Sequence, residues 1–112
     1  MERVYISIPM TGLDEARQRE HADKTAKMLR QKGYDVGNPF ELCDLIRHEY
    51  RENFNEEPCY VDYLLHDIVL LAECQRIFMC KGWKKSKGCL AEYHFARAIG
   101  IKIVYEKTDT ST

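Results

Sequence analysis

Arg76-Ile77-Phe78-Met79-Cys80-Lys81-Gly82-Trp83-Lys84-Lys85-Ser86-Lys87-Gly88-Cys89-Leu90-Ala91-Glu92 is the stretch on which the fold turns. An apolar strand over Arg76 to Cys80 runs into a polar loop punctuated by glycine. A helix then opens with a carboxylate, Glu92, read as lying in its first turn. Strand, loop and helix in that order form one half of a parallel β-α-β unit, and ligands of such sheets collect outside the carboxyl ends of the strands. Glu92 is thus placed to act as a nucleophile or an acid/base group. The plainer role is complementing the positive end of a helix dipole.

The same alternation extends outward. Val4-Tyr5-Ile6-Ser7-Ile8 is a β-branched and aromatic run stopped by Pro9. Thr11 is the expected N-cap of a helix whose stripe is Ala22, Thr25, Ala26 and Leu29, ending at Lys32-Gly33. Tyr34-Asp35-Val36 predicts a short second strand closed by Gly37-Asn38-Pro39. Residues 41–58 read as an irregular surface excursion with only a hint of a helical turn. From Cys59 to Cys74 one helical stripe is apolar (Val61, Leu64, Leu65, Ile68, Leu71). The next carries Tyr60, Tyr63 and Asp67, the last an expected edge of a solvated face or a site carboxylate. A helix over Ala91 to Ile99 and a strand at Lys102-Ile103-Val104-Tyr105 follow. Strands alternating with helices imply a parallel sheet. The expected fold is therefore a single-domain, Rossmann-like (flavodoxin-like) α/β sheet of four to five strands over residues 3–105. Residues 106–112 are expected to form a frayed polar tail.

A chain of 112 residues has room for one core. Its formal net charge of -1 supplies no field for a nucleic-acid polymer or an anionic membrane. No apolar run approaches the ~20 residues of a membrane span, and no signal-peptide pattern precedes the first strand, so a cytoplasmic location is expected. The cysteines number 5, an odd count with no Cys-x-x-Cys spacing, and the 4 histidines lack paired helical spacing. Neither a disulfide framework nor a metal or organic cofactor is expected. The dinucleotide fingerprint and the Walker lysine loop are also absent from the sequence.

Four segments carry a resemblance: Tyr5-Ile6-Ser7-Ile8-Pro9-Met10-Thr11-Gly12, Asn38-Pro39, Asp67, and Gly82-Trp83-x-x-Ser86-x-Gly88-x-x-x-Glu92. Together they resemble the nucleoside 2-deoxyribosyltransferase-like superfamily, and within it a branch of small bacterial and phage-encoded domains. The resemblance implies a Rossmann-like fold and cleavage or transfer at the N-glycosidic bond of a deoxyribonucleoside or deoxyribonucleotide. It implies Glu92 as the nucleophile at C1′, Tyr5 as the residue that orients it, and Asp67 as a proton-transfer group. Ser7, Met10, Asn38, Gly82, Trp83, Ser86 and Gly88 become candidate substrate-binding residues. The cations Lys84, Lys85 and Lys87 become candidate phosphate ligands beside a helix start.

The pattern is not complete. Ser86 stands where classical transferases carry a second Asp, and Ile8 stands where many have Gly. A non-catalytic nucleotide-binding domain, or an interaction protein using Tyr50, Tyr60 and Tyr63, therefore remains an alternative. The resemblance also implies a homo-oligomer with shared sites. The apolar residues of the 41–58 segment (Phe40, Leu42, Leu45, Ile46, Tyr50 and Phe54 with its flank) are the expected contact surface.

Overall fold

The strands are short and their order along the sheet sets where a ligand can enter. In the computed structural model, which describes residues 1–107, β1 (Arg3–Ser7), β2 (Asp35–Gly37), β3 (Arg76–Met79) and β4 (Lys102–Tyr105) form one parallel sheet of order β2-β1-β3-β4. Val4 pairs with Val36, Tyr5 with Ile77, and Phe78 with Val104. Among the described residues four α-helices flank it: α1 (Glu15–Gln31), α2 (Pro39–Phe54), α3 (Tyr60–Ala72) and α4 (Lys87–Ile99). The architecture is the single-domain Rossmann-like α/β fold, with four strands. The chain runs from β1 outward to β2 and then returns to the other side of β1. The direction of winding thus reverses between β1 and β3, where α/β sheets open a crevice.

Strand alternation divides the core into two layers. Val4, Ile6, Ile8, Phe78 and Cys80 face α1, whose Ala22, Ala26 and Leu29 pack closely because two of the three are small. Tyr5, Ile77 and Met79 face the other way, against Leu71 of α3 and Cys89 and Ala96 of α4. The buried polar residues are few: Thr25 of α1, Asn38 at the start of α2, and Ser7, Asp67 and Glu92, which belong to the site below.

Several local expectations change. Asp14, not Thr11, caps α1: its side chain accepts a hydrogen bond from the Arg17 amide at 3.2 Å. The 41–58 segment is no excursion, because residues 39–54 form the 16-residue helix α2. Asn38 Oδ1 accepts from the Phe40 amide at 3.0 Å, Pro39 fills the first helical position, and left-handed Asn55 ends the helix. Phe40, Cys43 and Ile46 are buried within the monomer, leaving Leu45 and Phe54 exposed. In α3 the expected apolar stripe is split: Leu71 is buried and Ile68 packs beside it, but Val61 and Leu65 are exposed, as is Val69, and Asp67 of the neighbouring stripe is buried instead. The loop after β3 contains a single 3-10 turn (Trp83–Lys85). Ser86 then caps α4, so Glu92 lies in the second helical turn, not the first. Glu106 does not belong to a frayed tail: its amide donates to the Met79 carbonyl and its Oε1 accepts from the Lys81 amide. The rest of the expected tail, 108–112, lies outside the described residues.

Candidate active site

Two residues of β1 two positions apart must project to the same face. Tyr5 and Ser7 do so, and both meet Glu92. The Tyr5 hydroxyl donates to Glu92 Oε2 at 2.5 Å, and Ser7 Oγ donates to Oε1 at 2.7 Å. All three residues are buried. One carboxylate on α4 is thus gripped at both oxygens by a strand 85 and 87 positions away. The helix cap sets the angle of approach. Ser86 Oγ accepts from the Cys89 amide at 3.2 Å, fixing the first turn and presenting Glu92 inward one turn later.

Glu92 opens onto a cavity of about 270 Å³ at the carboxyl ends of β1 and β3. Such a volume lies near the lower end of the ~300–1,000 Å³ usual for small-molecule pockets. Asp67 of α3 faces the same space, and its buried Oδ1 has no hydrogen-bond partner among the described residues. Burial pushes the Asp67 carboxyl up to about 8, with the neighbouring Glu92 charge adding to the effect. Burial also raises Glu92, to about 7, against the opposing pull of the Tyr5 and Ser7 hydrogen bonds. The two carboxyls differ in their surroundings: two hydrogen bonds favour the charge on Glu92, whereas nothing among the described residues favours one on Asp67. A difference of that kind is how paired carboxyls acquire distinct acid and nucleophile roles. The cavity also contains thiols, but burial pushes Cys43 up to about 11 and raises Cys89. Neutral thiols are poor nucleophiles.

Of the residues singled out in the sequence, Tyr5, Met10, Asp67, Ser86, Gly88 and Glu92 line the cavity. Ser7 does not line it; its hydroxyl is engaged by Glu92, which makes it a positioning residue. Gly88 lies beside the Tyr60 hydroxyl, which a Cβ there would meet at 3.4 Å, an ordinary contact distance. Asn38 is buried as the cap of α2. Gly82 takes a left-handed backbone (φ 86°) at the turn after β3. Trp83 packs on Tyr93 and Tyr105, with ring centroids 4.7 and 5.8 Å away. Lys84, Lys85 and Lys87 are exposed and outside the cavity wall, with Lys84 Nζ over the Trp83 ring.

The cations that do line the cavity are Arg19 of α1 and Arg47 of α2. Arg19 is bidentate to Asp44 (2.9 and 2.7 Å) and also bonds Glu15, whereas Arg47 Nε donates to the Tyr63 hydroxyl at 3.3 Å. Arg47, and the Asp44 that holds Arg19, escape a reading of the sequence in which 41–58 is irregular. Once α2 is seen as a helix, Phe40, Cys43 and Arg47 fall at i, i+3, i+7 on one face. Tyr60, Tyr63 and Asp67 repeat that spacing on α3.

A family model described as a domain of unknown function matches residues 2–105. The chain belongs to the DUF4406 family. Comparison with curated proteins finds no match. The match spans every strand and helix of the domain, so the sheet, both gripping hydroxyls and both cavity carboxyls fall within the family's boundaries. No helix of the described residues is long and apolar enough to cross a membrane.

Proposed function

We propose that this DUF4406 domain cleaves or transfers the N-glycosidic bond of a deoxyribonucleoside or deoxyribonucleotide, with Glu92 as nucleophile. One observation carries the reading: a buried carboxylate held at both oxygens by Tyr5 and Ser7, facing a cavity that contains a second, unpartnered carboxyl whose pKa burial raises. Two carboxyls on either side of a reacting anomeric carbon are the equipment of retaining glycoside chemistry. The Glu92 carboxylate attacks C1′ as the bond from C1′ to the base nitrogen breaks. The Asp67 proton passes to the departing base, whose bonding electrons it neutralises. Water or a second base then attacks C1′, expelling Glu92, while ionised Asp67 accepts the proton of the incoming group. The resemblance at Tyr5 to Gly12 and at Gly82 to Glu92 supports the choice of N-glycoside over O-glycoside. Arg47, with the Tyr63 hydroxyl beside it, is the favoured position for a 5′-phosphate if the substrate is a nucleotide. The reading includes a homo-oligomer: exposed Val61, Leu65 and Val69 make a continuous apolar stripe at i, i+4, i+8 on α3, the helix that also supplies Asp67.

Intact-mass analysis during turnover tests the covalent step. A deoxyribosyl adduct on the peptide that contains Glu92, absent from Glu92→Gln, is the expected result. Turnover with no adduct in rapidly quenched samples, together with an active Glu92→Gln, would overturn it.

A further inference from the structure

On the α1 side of the sheet, away from the cavity, three donor side chains converge from three elements. His21 comes from α1, Cys80 directly follows β3, and Glu106 directly follows β4. One ligand atom from each, a ring nitrogen, the sulfur and a carboxylate oxygen, lies within 4.8 Å of the others. None of the three lines the cavity. Neither spacing nor motif in the sequence links them, since 59 and 26 positions separate them along the chain.

Their surroundings favour a ligand over a simple ion pair. His21 Nε2 is shielded from solvent and has no hydrogen-bond partner among the described residues, although Glu106 Oε2 is only 2.8 Å away. The contact is close enough for an ion pair but does not satisfy the imidazole nitrogen as a hydrogen bond would. The other carboxylate oxygen, Oε1, is already held by the Lys81 amide at 2.8 Å, which turns Oε2 inward. Outer hydrogen bonds of that kind orient metal ligands. Cys80 is buried, and its amide is fixed to the Ser7 carbonyl at 2.9 Å. Zinc bonds of ~2.0–2.3 Å to nitrogen, oxygen and sulfur put tetrahedral ligand atoms about 3.4–3.6 Å apart. The present spacing reaches that geometry with side-chain shifts of under about an ångström.

We propose that His21, Cys80 and Glu106 form a binding site for a borderline-soft divalent cation, Zn²⁺ by donor chemistry, with one coordination position open. Mixed sulfur, imidazole and carboxylate donors select zinc over magnesium or calcium, which take oxygen. On binding, the Cys80 thiol gives up its proton to solvent as the metal–sulfur bond forms. The ion would clip the ends of β3 and β4 to α1.

The test uses the full chain, stripped with a chelator and titrated with Co²⁺ and then Zn²⁺. One equivalent of Co²⁺ should produce a thiolate-to-metal charge-transfer band in the near ultraviolet, which Zn²⁺ abolishes. Cys80→Ser should lose the band, while Cys59→Ser keeps it. If Cys80→Ser does not fold, His21→Gln, at a partly exposed helix position, serves instead: it should weaken Zn²⁺ binding by more than about tenfold, since losing even an outer partner costs that much. It should also remove the rise in melting temperature that Zn²⁺ gives the wild type. Absence of the charge-transfer band, its survival in Cys80→Ser, or unchanged Zn²⁺ affinity in His21→Gln would each overturn the proposal and leave a plain His21–Glu106 ion pair.

Discussion

The Tyr5 hydroxyl lies 2.5 Å from Glu92 Oε2, joining the middle of the first strand to the last helix at the wall of the cavity. A hydrogen bond to a charged group is worth about 1.5–3 kcal/mol, and this one favours the ionised form of Glu92. Tyr5→Phe keeps the ring and removes the bond. Activity should fall roughly 10- to 100-fold, and the acid limb of the pH–rate profile should move to higher pH, because Glu92 loses a contact that lowers its pKa. A Tyr5→Phe profile that overlays the wild type would remove Tyr5 from the account.

Asp67 makes stability depend on pH in the sense opposite to most carboxylates. Its pKa is raised by folding, from 3.8 to about 8. The unfolded chain therefore loses this proton first, and the folded state becomes relatively less stable as pH rises across that window. Below pH ~4 Asp67→Asn should match the wild type within about 1 kcal/mol. By pH 9 it should be more stable by about 2–5 kcal/mol, because a buried charge no longer has to form. Urea titrations at both pH values measure this. An Asn variant destabilised equally at both would contradict a protonated Asp67.

How much of this was legible in the sequence follows the physics of each signal. Glu92 could be singled out from the strand-loop-helix run and Asp67 from the second stripe of its helix, whereas Tyr5 and Ser7 entered only through the resemblance at the first strand. The helix α2 was obscured because its charged residues, Glu49, Arg51 and Glu52, blur the apolar period. Its markers are local and chemical: the Asn38-Pro39 start and the Asn55 end. With α2 unread, Arg47 could not be brought to the cavity, nor Asp44 to Arg19, and the lysines of the 84–87 run attracted the phosphate role. His21, Cys80 and Glu106 meet only through tertiary packing, which no spacing reveals.

Arg47 and the lysines give opposite expectations for phosphate. Arg47→Ala should raise KM for a monophosphate by about 10-fold or more, the loss of a charge-assisted contact, and leave the nucleoside nearly unaffected. Lys84→Ala, Lys85→Ala and Lys87→Ala should change neither. Steady-state kinetics on paired nucleoside and monophosphate substrates decides the matter. A lysine variant with the larger effect would return the phosphate to the loop after β3.

The α3 stripe should hold copies of the chain together. Light scattering at micromolar concentration should give a multiple of 13.2 kDa. Leu65→Glu, at an exposed position, should reduce it to the monomer by placing a charge in an apolar contact. A wild-type monomer would contradict the assembly.

Release of free base by wild type and Glu92→Gln, followed side by side by chromatography over a panel of deoxyribonucleosides and their 5′-monophosphates, tests the central claim most directly. The account predicts base release from at least one member by the wild type and a loss of about 10³-fold or more in a folded Glu92→Gln, since removing the nucleophile removes the covalent pathway. No base released from any member at micromolar enzyme, or release undiminished in Glu92→Gln, would contradict it.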